Sequence, residues 1–315
     1  MIEDFKNRLR YLEAPDIANQ IFLLVLSLIG LFLLPITGKF VMVALNLFLG
    51  IAIVYCVSIY EKKDDFAKRK PGIARFIRFF YPILMVLFCF KQIYYLMVYS
   101  SPVLYDNYLA GIDRAIFGTD PTTISLYFNN PWFTEFIQII YGIFYLMPVI
   151  FAMELYLWHR YEELKYAMLV IFLGFYLSFL GYLMVPAIGP RFTIHTFQSI
   201  DTELPGIFFT KLLRQVIDFG ESIPAGVPDP ENYAQRDAFP SGHTIMIVLI
   251  AYLSRKIRSN TFYFYLPYAC LMIFSTVYLR YHYVADLLGA IPFILAAIFI
   301  ANRIYKKKNI NFRSI

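Results

Sequence analysis

The sequence predicts an all-α protein that is embedded in a membrane. Of its 315 residues, 59% are apolar and only 16% are charged, whereas an ordinary soluble domain has about 25% charged residues. Aromatic residues reach 19%, and their rings favour lipid-facing surfaces and interfacial belts. A helix needs about 20 mostly apolar residues to cross a hydrocarbon core of about 30 Å. Several segments come near that length, and we expect about eight transmembrane helices.

The apolar runs alone place the predicted spans. They lie at 17–36, 41–60, 79–100, 131–157, 166–186, 241–254, 262–281 and 284–302. Two connecting segments, 101–130 and 187–240, are too long to be simple turns, and loops of that length are usually functional or disordered. Each carries apolar residues at helical spacing, which predicts a short amphipathic helix at the membrane surface. Either helix could cap a cavity or simply rest on lipid. The apolar positions are Leu109, Ile112, Ile116 and Phe117 in the first segment, and Phe208, Phe209, Leu212, Leu213, Val216 and Ile217 in the second.

The placement of positive charge predicts the topology. The net charge is +6. Most Lys and Arg residues fall in the connecting segments that are predicted to lie on the same side of the membrane as the N-terminus, including a run at 62–78 and the tail at 303–313. By the positive-inside rule, both termini are cytoplasmic. The basic balance therefore reports topology, and no nucleic-acid partner is expected. The N-terminal segment shows no small-residue cleavage site, so the first span is expected to stay in the protein.

We expect three regions along the chain. An N-terminal two-span segment with a basic cytoplasmic loop occupies 1–78, a membrane domain occupies 79–302, and a basic cytoplasmic tail occupies 303–315. Cys56, Cys89 and Cys270 lie within apolar runs, where a reduced thiol behaves as a small hydrophobe. Neither a disulfide nor a Cys metal site is expected.

Three polar clusters lie at predicted outer ends of spans. In the first, Pro240, Ser241, Gly242 and His243 precede an apolar run, a pattern typical of a helix N-terminus with Ser241 near the cap. Free backbone N–H groups, the Ser241 hydroxyl and the helix dipole favour an anion, and Gly242 would allow an oxyanion to approach closely. The cluster predicts a phosphate cradle with a histidine beside it.

The second cluster, Arg280 to Asp286, joins the last two spans. His282 and Asp286 are four residues apart, so on the final helix they would share a face and pair. An aspartate on one imidazole nitrogen fixes the tautomer and raises the basicity of the other, as a nucleophile or general base requires. A purely structural pair is the alternative. In the third cluster, Pro and Gly residues flank Arg191, whose forked donors suit a phosphate. Nearby, Asp237 could brace Arg191 or Arg236, and His195 could touch a headgroup, although a lone loop histidine is usually solvated.

Together, Arg191, the Pro240–His243 motif and the His282/Asp286 spacing resemble the three-part signature of the type 2 phosphatidic acid phosphatase superfamily over roughly 180–290. The resemblance implies a six-helix catalytic core whose site faces the extracytoplasmic side. It also implies the roles of the residues. His282 attacks phosphorus to form a phosphohistidine, Asp286 orients His282, and His243 protonates the leaving oxygen. No metal or other cofactor is expected.

The chain also departs from that signature. Met184, Phe192 and the pair Ser275–Thr276 stand where the superfamily pattern has a Lys, a Pro and a Ser-Arg pair. Two cationic phosphate ligands are therefore absent from their usual places. Arg280 is the nearest substitute for one. Lys91, within the third span, could be the other, or could instead pair with Glu135. The Tyr-rich sequence around His282 is more similar to the inositol phosphorylceramide synthase branch, which hands the phosphoryl group to an alcohol.

We therefore expect a membrane phosphoesterase that acts on a lipid phosphate ester. Its predicted phosphate-binding residues are Arg191, Ser241, Gly242, Arg280 and Lys91. Water is the default acceptor, and transfer to an alcohol such as an inositol lipid or ceramide is the first alternative. Three other classes stay open at this point. They are a transporter with a relay of Lys91, Glu135 and Asp286, a metal hydrolase with His243, His282 and Asp286 as ligands, and a lipid-binding protein without catalysis.

Overall fold

The computed structural model describes residues 2–62, 65–100 and 103–306. These residues form an all-helical fold without strands, with one isolated bridge between Ala187 and Asp237. The all-α prediction is confirmed for this part of the chain. Lys63 in the predicted inner loop and residues 307–315 of the predicted tail lie outside the described residues.

All eight predicted spans coincide with helices, and six of these are long and apolar enough to cross a membrane. The six are α2 (Ala14–Leu33), α3 (Ile36–Glu61), α5 (Pro71–Val98), the continuous run of α8 (Pro131–Gly142) and α9 (Met147–Leu157), α10 (Tyr161–Met184) and α16 (Val284–Lys306). The other two are shorter, α14 (Gly242–Lys256) with 15 residues and α15 (Phe262–Tyr278) with 17. At about 1.5 Å per residue, both are shorter than a hydrocarbon core of about 30 Å. The count of eight transmembrane helices and the six-helix core stay predictions.

The remaining helices are short and connect the spans. They are α1 (Ile2–Leu9), α4 (Asp65–Arg69), α6 (Asp106–Phe117), α7 (Ile124–Tyr127), α11 (Pro190–Thr193), α12 (Ile200–Glu203) and α13 (Thr210–Gly220). The chain divides into two compact units. Of the described residues, the first unit contains 2–62, 65–100, Ala152–Tyr176 and 299–306, and the second contains 103–151 and Leu177–Ile298. The three predicted regions, 1–78, 79–302 and 303–315, stay a prediction.

In the first unit, buried polar groups connect α2, α3 and α5. The fully buried Arg78 guanidinium binds the Asp16 carboxylate at 2.9 Å and the Glu61 carboxylate at 3.1 Å. Further along the same helices, the Asn46 amide donates to Ser27 at 3.0 Å and accepts from Gln92 at 2.6 Å. Such interhelical bonds satisfy polar groups that lipid could not solvate.

In the second unit, α8 and α14 pack on α15. Asn130 caps α8 through its side-chain oxygen, and Pro131 follows at the first helical position, where a missing N–H costs nothing. The hydroxyl of Tyr278 lies 2.9 Å from that of Thr134 and donates to the Phe128 carbonyl at 2.6 Å. These bonds fix the end of α15, directly before the second polar cluster.

The amphipathic helices predicted in the long outer segments are present as α6 and α13. On α6, Leu109 and Ala110 are buried, whereas Ile116 and Phe117 are exposed. On α13, Arg214 and Ile217 are buried, whereas Leu212, Val216 and Phe219 are exposed. Phe208, just before α13, is 70% exposed, and Phe219 is 85% exposed. An exposed apolar face of this kind suits a helix that lies on lipid.

Candidate functional site

The structure brings the three predicted clusters together in the second unit through backbone hydrogen bonds. The Ala238 N–H donates to the Ala187 carbonyl at 3.0 Å, which joins the Arg191 segment to the segment before α14. The Ser241 N–H donates to the Asp286 carbonyl at 3.1 Å, which joins the start of α14 to the first turn of α16. The clusters lie up to about a hundred residues apart in the sequence. The two backbone hydrogen bonds bring them together at one place, where His282 lies.

His282 lies at that point, between α15 and α16, and the residue is only 4% exposed. Its Nδ1 lies 2.9 Å from the Ala238 carbonyl oxygen and 3.2 Å from Oδ2 of Asp286. Because both neighbours are acceptors, we infer that Nδ1 carries the proton and that Nε2 presents its lone pair. Burial lowers the pKa of His282 to about 4, so the ring is neutral near pH 7.

Asp286 pairs with His282 as the spacing predicted, but not across one face of a helix. His282 precedes α16, and the fully buried Asp286 reaches back to it from the first turn. Oδ2 of Asp286 also accepts from the Tyr283 N–H at 2.9 Å. This is a capping arrangement, in which the carboxylate satisfies a free N–H at the helix start and orients the imidazole with the same oxygen.

His243 faces the other side of the His282 ring. Nδ1 of His243 lies 3.2 Å from Nε2 of His282, so with the tautomer inferred above it donates to the lone pair. The His243 ring lies among aromatic rings, with centroids 4.9 Å from Tyr141 and 4.6 Å from Phe144. A phosphoryl group that bonds to Nε2 has to replace the hydrogen bond between the two histidines.

At the start of α14, Ser241 is the N-cap, as predicted, and its Oγ accepts from the Thr244 N–H at 3.2 Å. The sequence analysis expected Gly242 to leave room for an oxyanion, and this expectation needs correction. A Cβ at Gly242 would lie 2.3 Å from the Tyr182 hydroxyl. The space beside its Cα is therefore filled by a tyrosine side chain from α10, not left open for an oxyanion. Binding of phosphate by the Gly242 backbone stays a prediction.

Arg191 is 3% exposed and sits in a defined turn, as predicted. Gly189, with φ +93°, precedes α11, and a Cβ there would lie 2.7 Å from the Tyr281 carbonyl oxygen. The guanidinium is held by two carboxylates that the sequence analysis did not identify. Nη1 donates to Asp218 at 3.1 Å, and Nη2 donates to Glu221. Its charge also lies over the rings of Tyr281 and Phe192, each at 4.6 Å.

The other two predicted phosphate-binding side chains make contacts outside the three clusters. Arg280 is fully buried, pairs with Glu203 and donates to Ser125 Oγ at 3.0 Å, whereas its Nη2 has no hydrogen-bond partner in the described part of the chain. Lys91 belongs to the first unit, where its ammonium lies 6.0 Å from the Tyr94 ring centroid. The carboxylate of Glu135, its alternative partner, accepts from the amides of residues 207–210. Roles of Arg280 and Lys91 in binding phosphate stay predictions.

Two aspartates on α6 also hold the clusters in place. Asp106 accepts from the Gly189 N–H at 2.8 Å and from the Tyr283 hydroxyl at 3.0 Å. Asp113 accepts from the Val284 N–H at 2.8 Å and the Ala285 N–H at 2.7 Å, which caps α16. The signal available in the sequence was their spacing of seven residues, two helical turns, on the predicted amphipathic helix.

A cavity of about 350 Å³ lies beside Arg191, under the polar face of α13. Its polar lining includes Gln198, Asp201, Lys211, Arg214 and Gln215. Within residues 2–62, 65–100 and 103–306, no group of three His, Cys, Asp or Glu side chains is arranged to hold a metal ion.

Comparison with models of protein families matches residues 107–300, more than half of the chain, to the PAP2 superfamily. The chain belongs to the PAP2 superfamily. Neither a curated protein nor a solved structure matches it significantly. Members of the PAP2 superfamily are generally phosphatases or phosphoesterases. All three polar clusters lie within the matched PAP2 range, and Lys91 lies before it.

Proposed function

We propose that this PAP2 protein is a membrane phosphoesterase that cleaves a lipid phosphate ester through a phosphohistidine on His282. The observation that carries the proposal is the orientation of the His282 ring, with Nδ1 held by Asp286 and the Ala238 carbonyl and Nε2 directed at His243. A buried neutral imidazole held in one tautomer is a suitable nucleophile.

In the first step, the Nε2 lone pair of His282 forms a bond to phosphorus, and the bond from phosphorus to the lipid oxygen breaks. His243, protonated when the anionic substrate is bound, donates its proton to the departing alkoxide, so the lipid leaves as an alcohol. The imidazole of His282 then carries a positive charge, and the Asp286 carboxylate stabilises it. Arg191 and the N-terminus of α14 would stabilise the phosphoryl oxygens.

In the second step, neutral His243 takes a proton from the acceptor, whose oxygen bonds to phosphorus while the bond to Nε2 breaks. With water as the acceptor, the reaction is hydrolysis. With an alcohol, it is headgroup transfer of the inositol phosphorylceramide synthase type. The second outcome is favoured by Met184 and Thr276, since these residues stand where the superfamily pattern has a cationic phosphate ligand. We propose that the site opens to the extracytoplasmic side.

Purified protein in detergent tests this proposal, with His282→Ala as the matched control. It is incubated with phosphatidic acid, phosphatidylinositol and ceramide, and free phosphate and new lipid species are measured together. Free phosphate from the wild type only indicates a phosphatase, and a new headgroup-bearing lipid without free phosphate indicates a transferase. Equal turnover by His282→Ala would overturn the phosphohistidine mechanism.

A further inference from the structure

A groove opens on the surface of the first unit, between the start of α3 and the last turns of α5. It encloses a cavity of about 370 Å³. The described residues that line it all precede the range that matches the PAP2 family, and none belongs to the three polar clusters. These lining residues are Thr37, Gly38, Val41, Met42 and Leu45 of α3, and Phe88, Lys91, Gln92 and Tyr95 of α5.

Most of the groove wall is apolar. Met42 is buried against α2, since a Cβ at Gly30 would lie 2.6 Å from its Sδ. Val41 is 60% exposed and Leu45 is 39% exposed. Both α3 and α5 are long and apolar enough to cross a membrane, so these exposed side chains would face hydrocarbon. The apolar part of the groove therefore suits an acyl chain.

Lys91 adds a positive charge to this groove at a depth where the membrane solvates charge poorly. It lies seven residues before Val98, the last residue of α5, or about 10 Å along the helix axis. The Cα–Cβ bond of a helical residue tilts towards the N-terminus of its helix, so that of Lys91 is directed away from this end. The described lining contains no carboxylate. Ionisable side chains within spans are costly and commonly mark functional sites, and an anion that enters with a lipid would balance this charge.

The polarity of the lining changes along the groove in the same order as the parts of a phospholipid. Thr37 and Tyr95, which carry hydroxyl groups, lie within the first or last turn of their helices. Lys91 lies one turn further from the end of α5 than Tyr95. Phe88 and Leu45 lie further still from the ends of their helices. Hydroxyl groups, a cation and an apolar wall would meet the headgroup, the phosphate and the acyl chain in turn.

Gln92 leaves a hydrogen-bond acceptor unused in the groove wall. It is 7% exposed, its amide nitrogen donates to Asn46 at 2.6 Å, and Asn46 donates to Ser27 at 3.0 Å. The amide is thereby held in place, whereas its Oε1 has no hydrogen-bond partner in the described part of the chain. Buried polar atoms of native proteins are nearly always hydrogen-bonded. A ligand with a hydroxyl group near its phosphate can supply the donor.

We propose that this groove binds one anionic phospholipid with a hydroxylated headgroup. The Lys91 ammonium binds the phosphate, a headgroup hydroxyl donates to Gln92 Oε1, and an acyl chain contacts Leu45 and Phe88. The occupant is a lipid and not a free phosphate ion, because a small hydrated anion would lose its water beside an apolar wall. This lipid is bound and not turned over, so the inference does not rest on the proposed function.

Native mass spectrometry of the full-length chain in detergent tests this inference. Phosphatidylglycerol and phosphatidylcholine with identical acyl chains are added in equal amounts. The first carries a net negative charge and headgroup hydroxyls, and the second carries neither. His282→Ala serves as the parent protein, so that the proposed reaction cannot consume either lipid. The parent is expected to retain one phosphatidylglycerol in preference to phosphatidylcholine. Lys91→Gln should lower the ratio of the two bound lipids about fivefold, as expected for one lysine beside an anionic lipid.

Lys39→Gln is the matched control, because it removes the same charge near the same end of α3 from a side chain that does not line the groove. It should keep the ratio of the parent. Val41→Trp provides an independent test, since it keeps Lys91 and places a large side chain in the groove at an exposed position. It should lower the retention of phosphatidylglycerol. Thermal melting identifies any variant that fails to fold.

Three results would overturn the inference. They are equal retention of the two lipids by the parent, an unchanged ratio in Lys91→Gln, and an equal fall of the ratio in Lys39→Gln and Lys91→Gln. The last result would show that both lysines only reach the interface and attract anionic lipid without a site. None of these results bears on the phosphohistidine mechanism, which turnover by the protein with His282 intact tests separately.

Discussion

At the scale of single residues, the carboxylate of Asp286 supplies both hydrogen-bond acceptors and a negative charge, and an amide could supply only the acceptor. It accepts from the His282 imidazole and from the Tyr283 N–H with one oxygen. In Asp286→Asn, the amide oxygen can keep both bonds, but the negative charge that stabilises the charged imidazole is lost. We expect kcat/KM to fall by about 10²–10⁴, less than in His282→Ala, with the thermal midpoint little changed. Wild-type kcat/KM in Asp286→Asn would contradict a catalytic role for this charge.

Gly242 provides a second prediction, because the Tyr182 hydroxyl occupies the place of its missing side chain. In Gly242→Ala, the methyl group would clash with this oxygen, and overpacking of this kind costs about 1–3 kcal/mol. In Gly242→Ala combined with Tyr182→Phe, the oxygen is gone, and much of the stability should return. The thermal midpoints of the two single variants and the double variant measure the coupling. Additive losses would show that Tyr182 is not the obstacle.

The sequence was sufficient to predict the side chains that lie together at the candidate site, but not all of the groups that hold them. The pairing of His282 with Asp286 and the N-cap at Ser241 depend on spacing of a few residues, which local geometry determines. Asp218 and Glu221 are 27 and 30 residues from Arg191 in the chain. Such a contact depends on the path of the segment at 187–240, and no local pattern specifies that path.

At the scale of elements, α6 clamps the start of α16 through Asp113. The carboxylate satisfies the Val284 and Ala285 N–H groups at 2.8 and 2.7 Å. His282 lies two residues before Val284, so the same turn positions it. We propose that Asp113 is a positioning residue. Asp113→Ala should lower stability by about 1–2 kcal/mol, the usual cost of a lost cap, and should lower kcat more than it raises KM.

Asp113→Asn is the control, because the amide oxygen can still accept one of the two bonds, and it should recover part of kcat. A loss of stability in Asp113→Ala with kcat unchanged per folded molecule would show that the cap is structural only. The measurement needs steady-state kinetics and thermal melting on the same preparations.

The elements themselves were largely predictable, and the orientation of one was not. Long apolar runs predict helices because only a helix satisfies its backbone within lipid, and all eight predicted spans are helical. For α13, the apolar spacing predicted an amphipathic helix correctly. Which face would point inward could not be read from periodicity alone. Arg214 turns inward because the buried Gln138 side chain and the Asp201 carboxylate accept hydrogen bonds from its guanidinium.

At the scale of the whole molecule, the half-buried His195 and the buried His282 make stability depend on pH. His195 lies within 2.8 Å of the Thr122 hydroxyl. Burial, followed by the charge of Arg280, lowers the pKa of His195 to about 4, whereas an unfolded chain would have a value of about 6.5. Between these values the unfolded chain binds a proton that the folded protein does not, so stability falls as the pH drops from about 6.5 to 4. The lowered pKa of His282 acts in the same direction.

We therefore expect the apparent thermal midpoint of the wild type in detergent to fall, relative to that of His195→Gln, as the pH drops from 7 to 5. The amide of Gln can still bond to Thr122 but takes up no proton in this range, so the share of the slope due to His195 disappears. His159→Asn is the matched control, since His159 is exposed and its left-handed backbone, with φ 58°, suits asparagine. The control should keep the wild-type slope. If His195→Gln also kept it, the folded protein would take up a proton at His195 as readily as the unfolded chain, and the burial of this histidine would not contribute to its response to acid.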